Sequence, residues 1–250
     1  MTLRVASIGV LHPGEMGSAV GAVARGEVWW APEGRSEATA ARAREAGLRP
    51  APLPELLERC EIVLSICPPH AALDVARACA GYRGIYCDAN AVSPETAREV
   101  AHAVGGDVVD GGIIGGPPRE AGTRLYLSGA PAAKVASVFA GTTLEPVVVG
   151  DEVGTASALK MCYAAWTKGS AALLLAVSEA AEALGLGDEL RAEWERSIPG
   201  LPERVDRAAR SAETKGWRWV GEMREIEATL RTAGLPGGFH AAAAEMFERR

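Results

Sequence analysis

Three regularly spaced glycines follow the first apolar run of the chain. Gly9, Gly14 and Gly17 form the pattern G-x(4)-G-x-x-G, in which the first gap of the common G-x-G-x-x-G fingerprint is three residues longer. In such a turn, glycine permits a tight bend after a strand, close approach of the backbone to a pyrophosphate and close packing of the next helix. With Glu15 and Met16 between them, these glycines predict a dinucleotide-binding turn. A related domain that binds another nucleotide, or none, is the alternative interpretation.

A charged loop follows the second apolar run and indicates which dinucleotide would bind. Arg35 and Ser36 stand at its end, and Thr39 follows one turn later. A guanidinium group forms charge-assisted hydrogen bonds with a 2′-phosphate, and a helix that begins at Ser36 would add backbone donors. Glu33 argues the other way, because a carboxylate in this loop favours a free ribose hydroxyl. We predict NADP(H) rather than NAD(H).

Lys160 is the residue best suited to proton transfer. Its neighbours Ala158, Leu159 and Met161 are apolar, and a lysine in such surroundings can exchange a proton with a substrate oxygen. A solvated lysine on the surface of a helix is the ordinary alternative. Tyr163 lies three residues further on, on the same helix face, where it would either donate a hydrogen bond to a substrate or pack against another helix.

Small and polar residues later in the chain complete the candidate site. Asn90 follows a predicted strand and is either a group that approaches the ligands or a turn residue. Gly115 and Gly116 either present backbone N–H groups to an anion or carbonyl, or permit close approach of two strands. Trp217 is a candidate wall of a substrate pocket, and His240 is a candidate proton relay. Most aromatic side chains of the C-terminal part are nevertheless predicted to lie in its core: Trp166, Trp217, Trp219 and Phe239.

The elements that must position these residues alternate between short β-prone runs and helices along the first 150 residues. Strands are predicted at Leu3–Ile8, Glu27–Ala31, Ile62–Cys67, Ile85–Asp88, Asp107–Ile114, Leu125–Ser128 and Pro146–Val149. Helices are predicted at Glu15–Ala24, Glu37–Ala46, Leu53–Arg59, His70–Ala80 and Pro94–Ala103. The alternation is typical of βαβ units. The predicted fold class is therefore α/β, with a Rossmann-type, mostly parallel sheet over residues 1–150.

Only helices are predicted beyond Gly150, and they form a smaller all-α domain over residues 151–250. Their predicted bounds are Thr155–Leu184, Asp188–Arg196, Pro202–Glu213, Trp219–Ala233 and Ala241–Arg249. At 1.5 Å per residue the first of them would span about 45 Å, which is longer than a small domain can cover. We therefore predict a homodimer joined through the apolar face of this helix. That face consists of Leu173, Leu174, Val177 and Ala181.

The composition restricts the classes of partner. The chain has 250 residues and a formal net charge of −6, which argues against nucleic acid or an anionic membrane as the main partner. Its five cysteines and four histidines show no metal-ligand spacing, and we expect no metal site. No apolar run approaches the roughly 18 residues of a membrane helix. We expect a cytoplasmic protein that acts on a small-molecule substrate.

Several segments together resemble the β-hydroxyacid dehydrogenase and 6-phosphogluconate dehydrogenase superfamily. The resemblance is to its branch with a C-terminal helical domain of unknown function, DUF1932, and extends over essentially the whole chain. The matching segments are 14–18, 67–70, 88–94, 110–117 and 154–160. The resemblance implies that Cys67, Pro68 and Pro69 lie beside the nicotinamide. It also implies that Asn90 approaches the cofactor ribose and the substrate, and that Lys160 is the catalytic acid/base.

Two departures from the family pattern concern the substrate. Ile114 stands where the substrate loop of the family has a serine, and Tyr163 and Ala164 occupy the stretch where an asparagine is expected after Lys160. The resemblance implies an NAD(P)-dependent oxidoreductase that transfers hydride between NADP(H) and a small carbonyl or hydroxy compound, with its active site at the domain junction. An imine reductase and a catalytically inactive NADP-binding sensor or interaction protein are the alternatives. The presence of Lys160 favours the first interpretation.

Overall fold

The structure is a computed structural model that describes residues 6–249. Its internal contacts divide the chain into a first compact unit that ends at Lys160 and a second that begins at Met161. The helix that begins at Thr155 runs from the first unit into the second. None of the described helices is both long enough and apolar enough to cross a membrane.

The first unit is built on one eight-stranded sheet. Its strands are β1 (Ser7–Val10), β2 (Glu27–Trp30), β3 (Arg49–Pro50), β4 (Ile62–Ser65), β5 (Ile85–Asp88), β6 (Asp107–Ile114), β7 (Thr123–Ser128) and β8 (Leu144–Gly150). Its helices are α1 (Glu15–Val23), α2 (Glu37–Glu45), α3 (Leu53–Arg59), α4 (Ala72–Ala78), α5 (Pro94–Val104) and α6 (Ala132–Ser137). The strand order is β3-β2-β1-β4-β5-β6-β7-β8, and among the pairs of described strands only β6–β7 is antiparallel. The predicted α/β fold with a mostly parallel sheet is confirmed.

The central strands are apolar because both of their faces are covered. Successive side chains of a strand point to opposite faces of the sheet. Ile62 and Leu64 accordingly belong to one apolar core and Val63 to another. Helices α1 and α2 contribute to the first core, for example through Val20, and α3 contributes Leu56 to the second. Burial on both faces explains why β4 reads as a continuous apolar run.

Three local predictions for this unit are wrong. Strand β1 continues through Gly9 to Val10, while the predicted residues 3–5 lie outside the described part. The predicted helix His70–Ala80 is a 3₁₀ turn at Pro69–Ala71 followed by α4. Strand β3 and helix α6 were not predicted, because two and six residues are too few to show a hydrophobic period.

The second unit continues the long helix α7 (Thr155–Ala183) and adds α8 (Gly187–Ser197), α9 (Leu201–Thr232) and α10 (Gly238–Glu248). The two helices predicted on either side of Gly216 are one helix, α9, so that break is wrong. A glycine inside a helix costs about 1 kcal/mol relative to alanine, which a helix of 32 residues with a buried face can absorb. The predicted start of the last helix at Ala241 is also wrong, since α10 begins at Gly238.

The core of the second unit contains an aromatic contact and an ion pair. Trp219 on α9 and Phe247 on α10 meet edge to face, with their ring centroids 5.1 Å apart. Lys168 on α7 forms a partly buried ion pair with Glu222 on α9. The prediction that most aromatic side chains of this part are core residues is wrong. Three of the four side chains named are exposed, by 70%, 68% and 79% respectively: Trp166, Trp217 and Phe239.

Candidate active site

The carboxyl ends of three parallel strands, β1, β4 and β5, are aligned at one edge of the sheet, and β6 runs past them to Ile114. The register pairs Val10 with Leu64, Ser65 with Asp88, and Asp88 with Asp110. Strand β1 lies between β2 and β4. The chain therefore adds β2 and β3 on one side of β1 and then returns to add β4 and β5 on the other side. In open α/β sheets, ligands bind at the carboxyl edge where the strand order reverses in this way.

The glycine turn lies at this reversal point. Gly9 is inside β1, where a Cβ atom would lie 2.5 Å from Leu56 Cδ2. It therefore lets α3 pack on the strand, whereas the sequence assigned it to the bend. Gly14 is the N-cap of α1 and has open space on its Cβ side. A Cβ atom on Gly17 would overlap the carbonyl oxygen of His12, so this glycine lets the widened turn fold back over the helix.

The first turn of α1 presents its backbone N–H groups at the same edge. No side chain caps this helix, and its first internal bond runs from the Ser18 N–H group to the Gly14 carbonyl at 2.9 Å. The preceding N–H groups, which include those of Glu15 and Met16, have no acceptor within the helix. The Glu15 side chain is exposed, while Met16 is half-buried against the core. This helix end can therefore receive an anion.

The loop after β2 carries the predicted phosphate-binding residues. Ser36 is the N-cap of α2, and its hydroxyl accepts a bond from the Thr39 N–H group at 3.3 Å. Arg35 precedes it and is exposed. Glu33, the residue that argued against a phosphate, accepts a bond from the Leu53 N–H group at 3.3 Å. Its carboxylate is thus occupied at the start of α3.

Asn90 connects the turn after β5 with the turn after β4. Its Oδ1 atom accepts a bond from the Cys67 N–H group at 2.6 Å, and its Nδ2 atom donates to Ser65 Oγ at 3.2 Å and to the Asp88 carboxylate. Asn90 is only 2% exposed. Its two amide hydrogens are therefore used within the chain, and the residue holds in place the turn that leads into Pro68.

The turn held by Asn90 contains the prolines that were predicted to face the nicotinamide. Pro68 adopts an extended conformation, and Pro69 opens the 3₁₀ turn. Burial raises the pKa of the Cys67 thiol to about 12, so the thiol stays protonated at neutral pH. Cys67 is accordingly a neutral group of this turn rather than a nucleophile.

Lys160 packs against the carboxyl part of β6. A Cβ atom on Gly112 would lie 2.9 Å from Lys160 Cβ and 2.9 Å from the Ala156 carbonyl oxygen. Gly112 lies two residues beyond Asp110, which is aligned with the end of β5. The half-buried Lys160 therefore stands at the carboxyl edge of the sheet, on α7.

Gly115 and Gly116 form the start of the connection from β6 to β7. Gly115 has a φ of +126°, and a Cβ atom there would lie 2.9 Å from Thr123 Cα. The Gly116 carbonyl accepts a bond from Thr123 Oγ1 at 2.6 Å, and its Cβ side is open. The requirement for glycine at Gly115 thus follows from close backbone approach, which was the structural alternative for this pair.

The remaining predicted residues belong to the second unit. Tyr163 and Trp217 are exposed, by 50% and 68%. His240 is buried, and its Nε2 atom lies 3.1 Å from the Ala165 carbonyl oxygen. A Cβ atom on Gly169 would lie 2.6 Å from the same nitrogen, so His240 fills the gap above a glycine of α7. It packs two helices of this unit together.

The prediction of site residues from the sequence missed two residues of the first unit. His12 lies in the glycine turn, where burial first and the charge of Arg35 second lower the pKa of its imidazole to about 4. The three extra residues of the turn were the available signal for it. Asp110 is buried beside the start of α7. Its signal was a carboxylate inside an otherwise apolar strand, ahead of two glycines.

A family model and one relative each match part of the chain. The family model that matches is DUF1932, a domain of unknown function, over residues 181–250. An uncharacterized 28.5 kDa protein in the 7S RNA 5′ region of Methanothermus fervidus is 38% identical over 169 residues, which are 66% of this chain and 65% of that protein. The match thus spans just under two thirds of the length of that relative.

Solved structures extend the similarity to nearly the whole chain. A conserved protein of unknown function, described as structurally similar to 3-hydroxyacid dehydrogenases, is 30% identical, with a TM-score of 0.72 over 97% of this chain and 96% of that chain. The chain belongs to the β-hydroxyacid dehydrogenase superfamily. Its C-terminal part places it in the DUF1932 branch of that superfamily.

Two further solved structures share the fold at low identity. A 3-hydroxyisobutyrate dehydrogenase from Salmonella typhimurium is 15% identical, with a TM-score of 0.71 over 98% of this chain and 93% of its own. A reductive aminase from Aspergillus terreus, in complex with NADPH and ethyl levulinate, is 17% identical, with a TM-score of 0.60 over the same shares. Ile114, which departs from the superfamily pattern, is buried at the end of β6.

Proposed function

We propose that the protein is an NAD(P)-dependent oxidoreductase that transfers hydride between NADP(H) and a small carbonyl or hydroxy compound. The observation that carries the proposal is the carboxyl edge of the sheet, where one unit combines an uncapped helix start behind a glycine turn with Lys160 packed on β6. A bound nicotinamide would supply the hydride chemistry there. The protein would supply binding, orientation and a proton.

The residues present fit a dinucleotide. The open space at Gly14 lets a pyrophosphate approach the backbone, and the first-turn N–H groups of α1 would donate to it. The turn at Cys67, which Asn90 holds, would lie along the nicotinamide. In this proposal Asn90 acts on the cofactor through the turn, because its own donors are already used.

The loop after β2 supports NADP(H) over NAD(H). Arg35 is exposed beside the N-terminus of α2, where a 2′-phosphate would gain both a guanidinium partner and helix donors. The bond from the Leu53 N–H group to Glu33 supports the same preference, since it directs that carboxylate to α3. His12 is neutral at pH 7 because of its lowered pKa, so it adds no charge to the site.

Lys160 is assigned the proton transfer. When a carbonyl is reduced, its ammonium group donates a proton to the oxygen. When the hydroxy compound is oxidised, the neutral amine takes that proton back. Gly116, whose surroundings are open, would bind the polar end of the substrate. The substrate contacts predicted for Tyr163, Trp217 and His240, which belong to the second unit, stay predictions from the sequence.

Reduction of an imine is the second candidate function. The buried Ile114, in place of the hydroxyl expected from the family, favours an apolar substrate. The experiment is therefore a screen of carbonyl, hydroxy-acid and imine compounds, with NADPH oxidation or NADP⁺ reduction as the readout. Binding of both cofactors is measured in parallel by calorimetry. A protein that binds neither cofactor would contradict the proposal.

The role of Lys160 is tested with Lys160→Met on any substrate found. Loss of a general acid or base lowers kcat by about 10²- to 10⁴-fold and leaves cofactor affinity nearly unchanged. Lys134→Met is the matched control, because Lys134 is an exposed lysine on α6 of the same unit. If kcat of Lys160→Met stays within a factor of about three of the control, Lys160 is not the proton donor.

The cofactor preference is tested with Arg35→Gln. We expect weaker NADPH binding by about 10-fold or more, as befits loss of a charge-assisted bond worth about 1.5–3 kcal/mol, and unchanged NADH binding. Arg44→Gln is the control, since Arg44 lies on α2 but pairs with Glu37 at 2.6 Å. Tighter binding of NADH than NADPH by the unmodified protein would overturn the preference.

A further inference from the structure

The carboxylate of Asp110 lies buried where β6 meets the first turn of α7. Asp110 is 1% exposed and is paired with Ser128 of β7. Its Oδ2 atom accepts bonds from the N–H groups of Gly154 and Ser157, at 2.9 Å each, and from Ser128 Oγ at 3.0 Å. Its Oδ1 atom accepts a bond from Ser157 Oγ at 2.5 Å. Four donors therefore converge on one carboxylate.

Two of these donors are N–H groups that α7 cannot satisfy by itself. A helix leaves its first N–H groups without intrahelical acceptors, and α7 begins at Thr155. Ser128 Oγ accepts a further one, from Ala156, at 3.0 Å. A negative charge at this end is also stabilised by the helix dipole. Strands β6 and β7 thus fix the start of α7 by directional bonds to Asp110 and Ser128.

Gly112 fixes a second point of the same helix. It lies two residues after Asp110 and so faces the same side of β6. Because a Cβ atom there would lie 2.9 Å from both the Ala156 carbonyl oxygen and Lys160 Cβ, only glycine lets α7 lie this close to the strand. The first turn and the Lys160 stem are therefore both held by one face of β6.

Asp110 cannot itself contact a ligand in this arrangement, because its carboxylate is buried and surrounded by four donors. Any effect on the reaction must pass through another residue. We propose that Asp110 is a positioning residue for Lys160: by binding the start of α7, it sets where the ammonium group stands at the carboxyl edge of the sheet. This inference rests on the proposed function in so far as the position of Lys160 matters for catalysis.

The first experiment tests the position of Lys160 without any substrate. Competitive acetylation with a trace of acetic anhydride, followed by mass spectrometry, gives the relative reactivity of each lysine. In Asp110→Asn we expect the reactivity of Lys160 to change at least threefold, because an amide cannot accept the same set of donors. Lys134 in the same sample is the internal control, and Asp107→Asn, at the exposed start of β6, is the control variant.

The second experiment uses the activity. A misplacement of a catalytic group by about 1 Å can cost about 10²-fold in rate, so we expect Asp110→Asn to lower kcat by about 10- to 100-fold with NADPH affinity unchanged within twofold. In the Lys160→Met background the same substitution should leave the residual kcat unchanged within twofold. A general loss of folded protein would instead lower both backgrounds by the same factor.

Milder variants cover the case in which Asp110→Asn does not fold. Ser157→Ala removes one hydroxyl donor to Oδ1 and keeps the backbone donors, and Gly112→Ala displaces Lys160 without touching Asp110. Both should shift Lys160 acetylation and lower kcat in the same direction, by smaller factors. Ser137→Ala, at an exposed position of α6, is the control.

The possible outcomes separate this inference from the proposed function. Unchanged Lys160 acetylation in the folded variants overturns the positioning role, whatever the activity. An Asp110→Asn effect on kcat that persists in full in the Lys160→Met background also overturns it. Normal kcat in Lys160→Met overturns the acid/base role in the proposed function, while the acetylation result still decides whether Asp110 holds Lys160.

Discussion

The two parts of α7 are held in different ways. Its first turn is bound by directional hydrogen bonds to Asp110 and Ser128, and Gly112 lets it lie directly on β6. Beyond Met161 the helix buries small and apolar residues on one face, such as Ala164 and Leu175. Hydrogen bonds are directional, so they fix the distance and angle between the helix and the sheet. An apolar face is stabilised by the area it buries, whatever the precise angle. The first turn of α7 is therefore held in a defined position, whereas the later part needs only to have its apolar face covered.

The later part of α7 carries a second apolar face opposite the buried one. Its exposed members are separated by three, seven, four and seven residues. These gaps return them to the same side of the helix, as in a helix that packs along another helix with a seven-residue repeat. A helix that is apolar on two opposite faces needs two partners. The exposed stripe consists of Tyr163, Trp166, Leu173, Val177 and Leu184. Of the predicted dimer face, Leu173 and Val177 are exposed, Leu174 is half-buried and Ala181 is buried.

The largest effect is expected on self-association. We propose that two copies of the chain pack along this stripe, so that light scattering of the unmodified protein gives twice the 26.0 kDa of one chain. Leu173→Glu with Val177→Glu puts two charges of each copy into the contact, and the dissociation constant should rise by more than about 100-fold.

Glu179→Gln, at an exposed position of the same helix outside the stripe, is the control. A stable monomer of the unmodified protein at micromolar concentration would rule out this dimer and leave the second apolar face to another partner.

The next effect tests the apolar packing of the second unit. Phe247→Ala removes a fully buried ring that meets Trp219 at 5.1 Å, and the free energy of unfolding should fall by about 3–5 kcal/mol. Urea unfolding followed by far-UV circular dichroism measures it. Phe239→Ala, at a 79% exposed position on the same helix, should change little. Equal effects of both would mean that α10 is not packed as described.

A smaller effect on stability is expected in the first unit when the pH falls. Burial and Arg35 lower the pKa of His12 from 6.5 to about 4, so between those values the unfolded chain binds a proton that the folded chain does not. The contribution of His12 to the free energy of unfolding is therefore complete above pH 6.5 and decreases as the pH falls from 6.5 towards 4. In His12→Asn the fall in unfolding midpoint between pH 7 and pH 5 should be smaller. The exposed His70 serves as control through His70→Asn, and an unchanged pH dependence in His12→Asn would contradict the burial of His12.

The smallest effect contrasts two glycines. At Gly216 in α9, an added Cβ atom would meet its nearest neighbours at 3.8 Å, which is ordinary contact. Gly216→Ala should therefore raise the free energy of unfolding by about 0.5–1 kcal/mol. Gly112→Ala, where the contacts are 2.9 Å, should lower it. Thermal unfolding of both variants measures these two changes. Destabilisation by Gly216→Ala would show that α9 and α10 lie closer together than described.

The sequence predicted most of the parallel sheet because its central strands are apolar on both faces. Helix α2 was predicted almost to the residue, since Ser36 is a side-chain cap that acts locally. The unbroken α9 was not predicted, because the packing that offsets Gly216 involves α10, which is distant in sequence. Exposure of Trp166 and Trp217 was missed for a similar reason: aromatic composition alone does not show on which helix face a side chain lies.

The sequence identified several residues of the candidate site, but it predicted only part of the contacts that these residues make. Gly14, Gly17 and Lys160 stand out by spacing, which is a one-dimensional property. The bonds of Asn90 to Cys67 and Asp88, by contrast, depend on the register of β4 with β5. No sequence pattern reports that its amide hydrogens are already used.

The unequal burial of the five cysteines has a practical consequence for labelling. Cys60, Cys79 and Cys87 are buried, Cys67 is half-buried, and Cys162 is exposed on α7. A maleimide reagent should therefore modify one thiol per chain quickly and the others only as fast as the protein opens. Because Cys162 precedes Tyr163 at the border of the exposed stripe, a fluorophore attached there would report on the environment of that helix without any engineered residue.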